Sequence, residues 1–335
     1  MVTRGRRPTI ADVARAAGVS VTTVSAAMSG KGRIDPATRA RVQEAARAAG
    51  WTPRRAAQAL RSGRTGTIAL CIPPDRSSWA DWMRHSSYLQ QLTAACAAAT
   101  IDAGRLMLLA PRPAERVELA GLDVDGLLLL DPVRADPVVR MCAAAGVALV
   151  TVDREPGSTS PWWVGNDHRA ATRGVLDHLH ERGARSVALL TGAERWAWLE
   201  DAHAAYAQWC AERGAPPLVR ALDMDRPADA AAHATSALLA AGERPDAVLA
   251  LPTHAALGVL AAARAAGLDV PGDLRVVAGV DGPEMAAARP AVTALDLRPA
   301  ELGARAVAML VRRLGGEPPT GPDLVATDLL VRASS

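Results

Sequence analysis

Apolar positions in the first fifty residues recur at helical spacing, in short pieces. Ile10, Val13, Ala14 and Ala17 fall at i, i+3, i+4 and i+7, one face of an amphipathic helix. Thr9 stands three residues before Asp12, the spacing of a capping box, and Gly18 suits the left-handed turn that ends a helix. Val19 then plugs the core and Ser20 caps a second helix from about Val21 to Ser29. Asp35-Pro36 is a cap followed by proline at the first helical position, and the stripe Val42, Ala45, Ala46, Ala49 runs to Gly50. Two short helices about a Gly-Val-Ser turn make a helix-turn-helix, and the third completes a minimal core.

Beyond Thr67 the pattern changes to short apolar runs alternating with helical stretches. The runs are Ile68 to Ile72, Leu106 to Leu109, Gly126 to Leu130, Ala148 to Val152, Val187 to Leu190, Ala247 to Leu251 and Val276 to Val280. Such alternation predicts an α/β body of parallel sheets covered by helices. Ligands of these sheets bind at the carboxyl ends of the strands. That singles out Pro73-Pro74-Asp75, Asp131, Asp153-Arg154, Thr191-Gly192, Pro252-Thr253-His254 and Asp281-Gly282. Between the two regions, Pro53 to Leu60 is too short for a stable free helix and is expected to be disordered by itself.

Length and composition add limits. With 335 residues, half of them apolar, the chain can build two or three cores. Its longest apolar runs fall well short of the ~20 residues that cross a bilayer, and Met1 to Ile10 lacks the apolar run of a secretory signal. A cytoplasmic, nucleoid-associated protein with no membrane partner is expected. Cys71, Cys96, Cys142 and Cys210 are scattered without a CxxC pair, which points to buried thiols rather than a metal cage or a disulfide framework. No cofactor is implied.

Charge is more telling. The net +3 conceals 13 Lys/Arg against Asp12, Asp35 and Glu44 in residues 1–64, and 25 against 32 in the remainder. A strongly basic small unit on an acidic body implies a polyanionic partner for the first unit alone. Its second helix is crowded with Ser20, Thr22, Thr23 and Ser25, which lower helix propensity and suit contacts with phosphates and base edges.

Thr9-Ile-Ala-Asp-Val-Ala, Ala17-Gly-Val-Ser, Thr23-Val-Ser25 and Trp51-Thr-Pro53 resemble the lactose-repressor (LacI/GalR) family, and the likeness runs to about Leu314. In that family the second helix enters the major groove. The resemblance implies that Val21, Thr22 and Ala26 face bases, while Thr9, Thr23, Ser25, Ser29, Arg33 and Thr38 face phosphates. The family usually places a long polar or basic residue at the position of Ala26, so only methyl contacts are on offer at Val21 and Ala26. It further implies a hinge helix in the minor groove, with Leu60 as the wedge, Ala57 permitting close approach and Arg54 adding a DNA contact. The body is expected to be like the periplasmic sugar-binding proteins, two Rossmann-like lobes joined by three crossings near Gly165, Ala294 and Leu324. A helix from about Glu301 to Leu314 returns to the first lobe. The expected domains are a helix-turn-helix reader at 1–50, a hinge and linker at 51–64, and an effector-binding and dimerisation domain at 65–335. Its first lobe spans about 66–165 and 295–323, its second about 166–294 and 324–335.

The expected function is a homodimeric transcriptional regulator, a repressor, that binds a palindromic double-stranded operator and responds to a small-molecule effector. The effector pocket is expected to draw on Asp75, Trp79, Asp167, Trp196, Trp198, Met224, Thr253 and Asp281. Tryptophan faces stack on sugar rings or flat aromatic ligands, or close the cleft as packing residues, and Trp82 shares both roles with the others. The family's usual Arg is Ala202 here, and its usual Asn-Asp is Pro252-Thr253, so bidentate hydroxyl recognition is lost at those places. A regulator without an effector is therefore the alternative. Against an enzyme, no GxSxG, GxxxxGK[ST], GxGxxG or HExxH occurs, and His178 and His180 lie on different faces of a helix.

Overall fold

The computed structural model describes residues 8–29, 33–51, 63–72 and 86–335. The hinge candidates Arg54, Ala57 and Leu60, and Asp75, Trp79 and Trp82 of the cleft, lie outside the described residues. Two compact units are present, residues 1–65 and 66–335.

The first unit holds α1 (Ile10–Ala17), α2 (Val21–Ser29) and α3 (Pro36–Ala48). Asp12 accepts hydrogen bonds from the Thr9 amide at 2.9 Å and the Thr9 hydroxyl at 2.7 Å, which fixes the start of α1. Gly18 ends it at φ 64°, a left-handed conformation that favours glycine. Ser20 Oγ caps α2 by accepting from the Thr23 amide at 3.1 Å, and Asp35 caps α3 by accepting from the Thr38 amide at 3.0 Å. Val13, Val24 and Val42 are fully buried among Ala14, Ala17, Ala27 and Ala46. These small side chains let three short helices close on one another. Arg41 adds a hydrogen bond of 3.0 Å to the Ala17 carbonyl.

The second unit has two lobes. The first begins with β1 (Thr67–Ile72), α4 (Ser87–Asp102), β2 (Leu106–Pro111), α5 (Arg116–Gly121), β3 (Gly126–Leu130), α6 (Pro137–Ala145), β4 (Ala148–Val152) and β5 (Trp163–Asn166). The second follows with α7 (His168–Glu181), β6 (Val187–Gly192), α8 (Ala197–Arg213), β7 (Leu218–Leu222), α9 (Pro227–Ala240), β8 (Ala247–Ala250), α10 (Ala255–Ala265), β9 (Arg275–Ala278), α11 (Pro283–Ala287) and β10 (Thr293–Asp296). The chain then returns to the first lobe through α12 (Pro299–Leu314) and β11 (Asp323–Val325), and ends in the second with β12 (Asp328–Leu330). The sheet orders are β11-β5-β4-β3-β1-β2 and β12-β10-β9-β8-β6-β7.

All seven apolar runs form strands, and the α/β class is the one expected. One departure from purely parallel sheets occurs: β12 pairs antiparallel with β10. It arrives over a short link from the other sheet rather than by the helical crossover that consecutive parallel strands of one sheet require. Both faces of the central strands of each sheet are covered. In the first lobe Ile68, Leu70, Leu128 and Val150 pack under Leu92, Leu302, Val307 and Leu310, while Leu127, Leu129 and Leu149 pack on Leu119, Val138 and Cys142.

The lobes are joined at 166–168, 296–299 and 325–328, and one side chain ties the three crossings together. Buried Asn166 donates from Nδ2 to the Val325 carbonyl at 2.9 Å and to the Leu297 carbonyl at 3.3 Å.

Candidate functional site

On the reading unit, Val24 and Ala27 turn α2 inward, which leaves Val21, Thr22 and Ala26 on its outer side. Val21 is 43% exposed, an uncovered apolar side chain on a basic unit. Ser20 Oγ lies 2.7 Å from Thr22 Oγ1 and 2.8 Å from Thr23 Oγ1, so the hydroxyls form one chain at the start of the helix. Thr9 and Arg33 are exposed, and Thr23, Ser25 and Thr38 are half-buried. The arrangement offers methyl groups flanked by hydroxyls, with the backbone amides of a helix start beside them. That combination suits base edges flanked by phosphates.

In the body a cavity of about 420 Å³ lies between the lobes, at the carboxyl ends of both sheets. Ser86, Tyr88, Asp131 and Asp153 contribute from the first lobe, and His168, Trp196, Trp198, Met224, Thr253 and His254 from the second. Trp196 and Trp198 stack with centroids 5.8 Å apart and an interplanar angle of 21°, and the His168 ring lies 6.2 Å from Trp198. Two residues at the start of one helix thus build an aromatic wall.

The polar part of the wall is paired. His168 Nε2 lies 3.2 Å from Asp153 Oδ1, and His254 Nε2 lies 2.9 Å from Glu284 Oε1. Burial opposes charging of His168, yet Asp153, by charge and hydrogen bond, with Asp131 and Asp201, lifts its pKa above the ordinary value. Burial likewise pushes Tyr88 well above its ordinary range, and Asp153 and Asp131 add to the effect. Asp131, Asp153 and His254 have φ of 49°, 65° and 68°, unusual for residues with a side chain. Backbone of this kind gathers at ligand sites, where the surrounding fold holds it in place.

Of the sequence candidates, Trp196, Trp198, Met224 and Thr253 line this cavity together. Asp167 and Asp281 do not. Asp167 is spent as the cap of α7, accepting from the Ala170 amide at 2.9 Å. Asp281 is held in a two-pronged pair with Arg332 at 2.7 and 3.0 Å. Ala202 lines the cavity and is buried, so no guanidinium enters from that position. Tyr88 and His168 were not anticipated. His168 follows directly on Asp167, and a helix beginning between them turns one residue to the cap and the next to the cleft.

The remaining reactive groups have packing roles. All four cysteines are buried, and burial pushes the thiols of Cys71 and Cys96 up to about 12 and that of Cys142 to about 11. His178 meets Ser335 Oγ at 2.9 Å and His180 meets the Ala184 carbonyl at 3.2 Å. Among the described residues no cluster of three or more His, Cys, Asp or Glu could hold a metal ion, and no helix is long and apolar enough to cross a membrane.

Residues 9–54 match the model of bacterial regulatory proteins of the lacI family, and residues 176–335 match a periplasmic binding protein-like domain. The chain is 32% identical over 344 residues to the HTH-type transcriptional regulator CelR of Thermobifida fusca, covering 99% of each. A solved complex of transcriptional regulator CelR with cellobiose is 27% identical with a TM-score of 0.72, over 98% of this chain and 100% of that one. A lac repressor dimer bound to operator and the anti-inducer ONPF shares the fold at a TM-score of 0.84 and 24% identity, over 98% and 99% of the chains.

Proposed function

Because the chain belongs to the LacI family of bacterial regulatory proteins and is a DNA-binding transcriptional regulator, we propose that it works as a cytoplasmic repressor whose operator binding is modulated by a saccharide held between the lobes. The observation that carries this is the pairing, in one chain, of a basic helix-turn-helix unit with a cleft whose wall combines stacked Trp196 and Trp198 with the polar pair His168–Asp153. Sugar rings present apolar faces and hydroxyl edges, and such a wall meets both. The relative CelR was solved with cellobiose, which supports the same ligand class for this chain.

Residues 1–50 act as the DNA reader, 51–64 as the hinge and 65–335 as the effector and dimerisation domain. Ser20, Thr23, Ser25, Ser29, Arg33 and Thr38 serve phosphates together with Thr9, while Val21, Thr22 and Ala26 meet bases. Arg54, Ala57 and Leu60 serve the minor groove. A homodimer is supported by an uncovered apolar strip along the edge strand β2 and its neighbours: Leu106, Leu108 and Leu109 with Ile101 and Val117, the last two 69% and 71% exposed. A second copy of the chain covers it, and two readers then meet the half-sites of a palindrome.

The test is a gel shift with the promoter DNA beside the coding sequence, at low salt, with cellobiose and related disaccharides added. Shifted DNA released by a saccharide is the expected result. DNA that stays unshifted overturns the regulator reading. A second reading, regulation without an effector, is favoured by Ala202 and Thr253, which bring no charged hydrogen-bonding group to the cavity. Thermal shift separates the two: a ligand at a hundred times its Kd stabilises the body by about 2.7 kcal/mol, and no stabilising sugar, nucleoside or aromatic acid supports the second.

A further inference from the structure

Two consecutive acids of α8, Glu200 and Asp201, face arginines of the opposite lobe. Arg154, just past β4, reaches Asp201 with Nη2 to Oδ1 at 2.7 Å, both side chains about one-third exposed or less. Arg134, in the loop after β3, reaches Glu200 at 3.2 Å. Beside them Val133 of the first lobe and Trp196 of the second form an antiparallel bridge. The seam therefore ties two loops of the first lobe to the start of the helix that carries Trp196 and Trp198. Elsewhere along the cleft, Ser87 Oγ of the first lobe and Glu284 Oε1 of the second are 3.5 Å apart, a marginal hydrogen bond.

We propose that Arg134, Arg154, Glu200 and Asp201 form an electrostatic clasp that holds the lobes together over the cleft before a ligand enters. The proposal rests on the reading of this cleft as the effector site and names its regulation. A ligand that favours the closed form shifts the equilibrium only by its differential affinity. A clasp that already favours closure leaves the ligand less to do, and makes its effect depend on ionic strength. Partly exposed pairs of this kind shift such an equilibrium by about two- to fivefold each. Losing both raises the open population by about tenfold.

Hydrogen exchange on the full-length protein, without DNA or ligand, reads that population directly. The segments to follow are 86–89 and 254–257, which include the cavity-lining Ser86, Tyr88, Leu89 and His254 and carry none of the four charged groups. In Arg134→Gln/Arg154→Gln, and in the unaltered protein at high salt, both segments should exchange about tenfold faster. The charge swap Arg154→Asp/Asp201→Arg should return protection toward the unaltered level. Unchanged exchange in 86–89 and 254–257, or faster exchange confined to 131–135 and 154–157, overturns the clasp. So does a swap no better protected than Arg154→Gln alone. No sugar enters this experiment, so its failure is distinct from failure of the effector reading, which the thermal-shift screen decides.

Discussion

Replacing Asp136 by alanine should cost the first lobe about 4 kcal/mol, although the residue touches no ligand. Its side chain is fully buried and does three things at once. It accepts from Arg112 Nη1 at 3.0 Å, from the Val133 amide at 3.1 Å and from the Val138 amide at 2.9 Å, the last as the cap of α6. Removing one partner of a buried pair strands the other charge, which costs about 3–5 kcal/mol, and a lost cap adds about 1 kcal/mol. Arg112 keeps its bonds to the Leu130 and Asp131 carbonyls, which holds the total near the lower end of that sum. Against a typical stability of about 5–15 kcal/mol the loss is large. Urea unfolding of Asp136→Ala, Arg112→Met and the double variant gives the coupling between them, expected at about 2 kcal/mol or more. The double variant should be more stable than Asp136→Ala alone, because no charge is then left stranded. A loss below about 1 kcal/mol for Asp136→Ala, or strictly additive losses, refutes the reasoning.

Two further outcomes follow from packing and charge. A methyl group on Gly258 of α10 would stand 1.9 Å from the Ala228 carbonyl oxygen of α9, a backbone atom with no room to yield. Gly258→Ala should lower stability by about 3 kcal/mol, and a melting temperature equal to that of the unaltered protein would contradict this. For His168 the raised pKa fixes the sign: its stabilising effect is full below the ordinary histidine value and is lost as pH rises through the raised folded value. The melting-temperature advantage of the unaltered protein over His168→Gln should be larger at pH 5.5 than at high pH, and an advantage that grows with pH would exclude the assignment.

Much of this was legible in the chain because the signals were local. Thr9 with Asp12, Gly18, Ser20 and Asp35-Pro36 each mark a helix end through a contact spanning three or four residues, and each lies where it was read. The buried strands were legible as runs such as Gly126–Leu130, since a strand covered on both faces is apolar throughout. The edge strand β7, with Arg220 in its middle, carries no such run. Of the cleft residues, Trp196 and Trp198 could be placed by counting from the end of β6. Asp281 could not, because its fate depends on Arg332, 51 residues away in sequence. His168 was missed for a related reason. Its partner Asp153 lies on the other lobe, and nothing in the residues between them fixes that pairing.

The helix α12 has a consequence for how the protein is made. Its Leu302, Val307 and Leu310 cover the face of the first sheet built by Ile68, Leu70 and Leu128, and Leu310 sits against Gly126. On a ribosome adding about 5–20 residues per second, Leu310 is joined to the chain roughly ten to forty seconds after Leu128. For that interval the first lobe lacks β11 and this part of its cover, while the second lobe is synthesised as far as β10. The reader is continuous in sequence and can fold as it emerges, and the second lobe is continuous from α7 to β10. The first lobe, although begun before the second, waits for α12 and β11 until the second has reached β10, and its half-covered sheet stays open to a chaperone or a neighbouring nascent chain over that time.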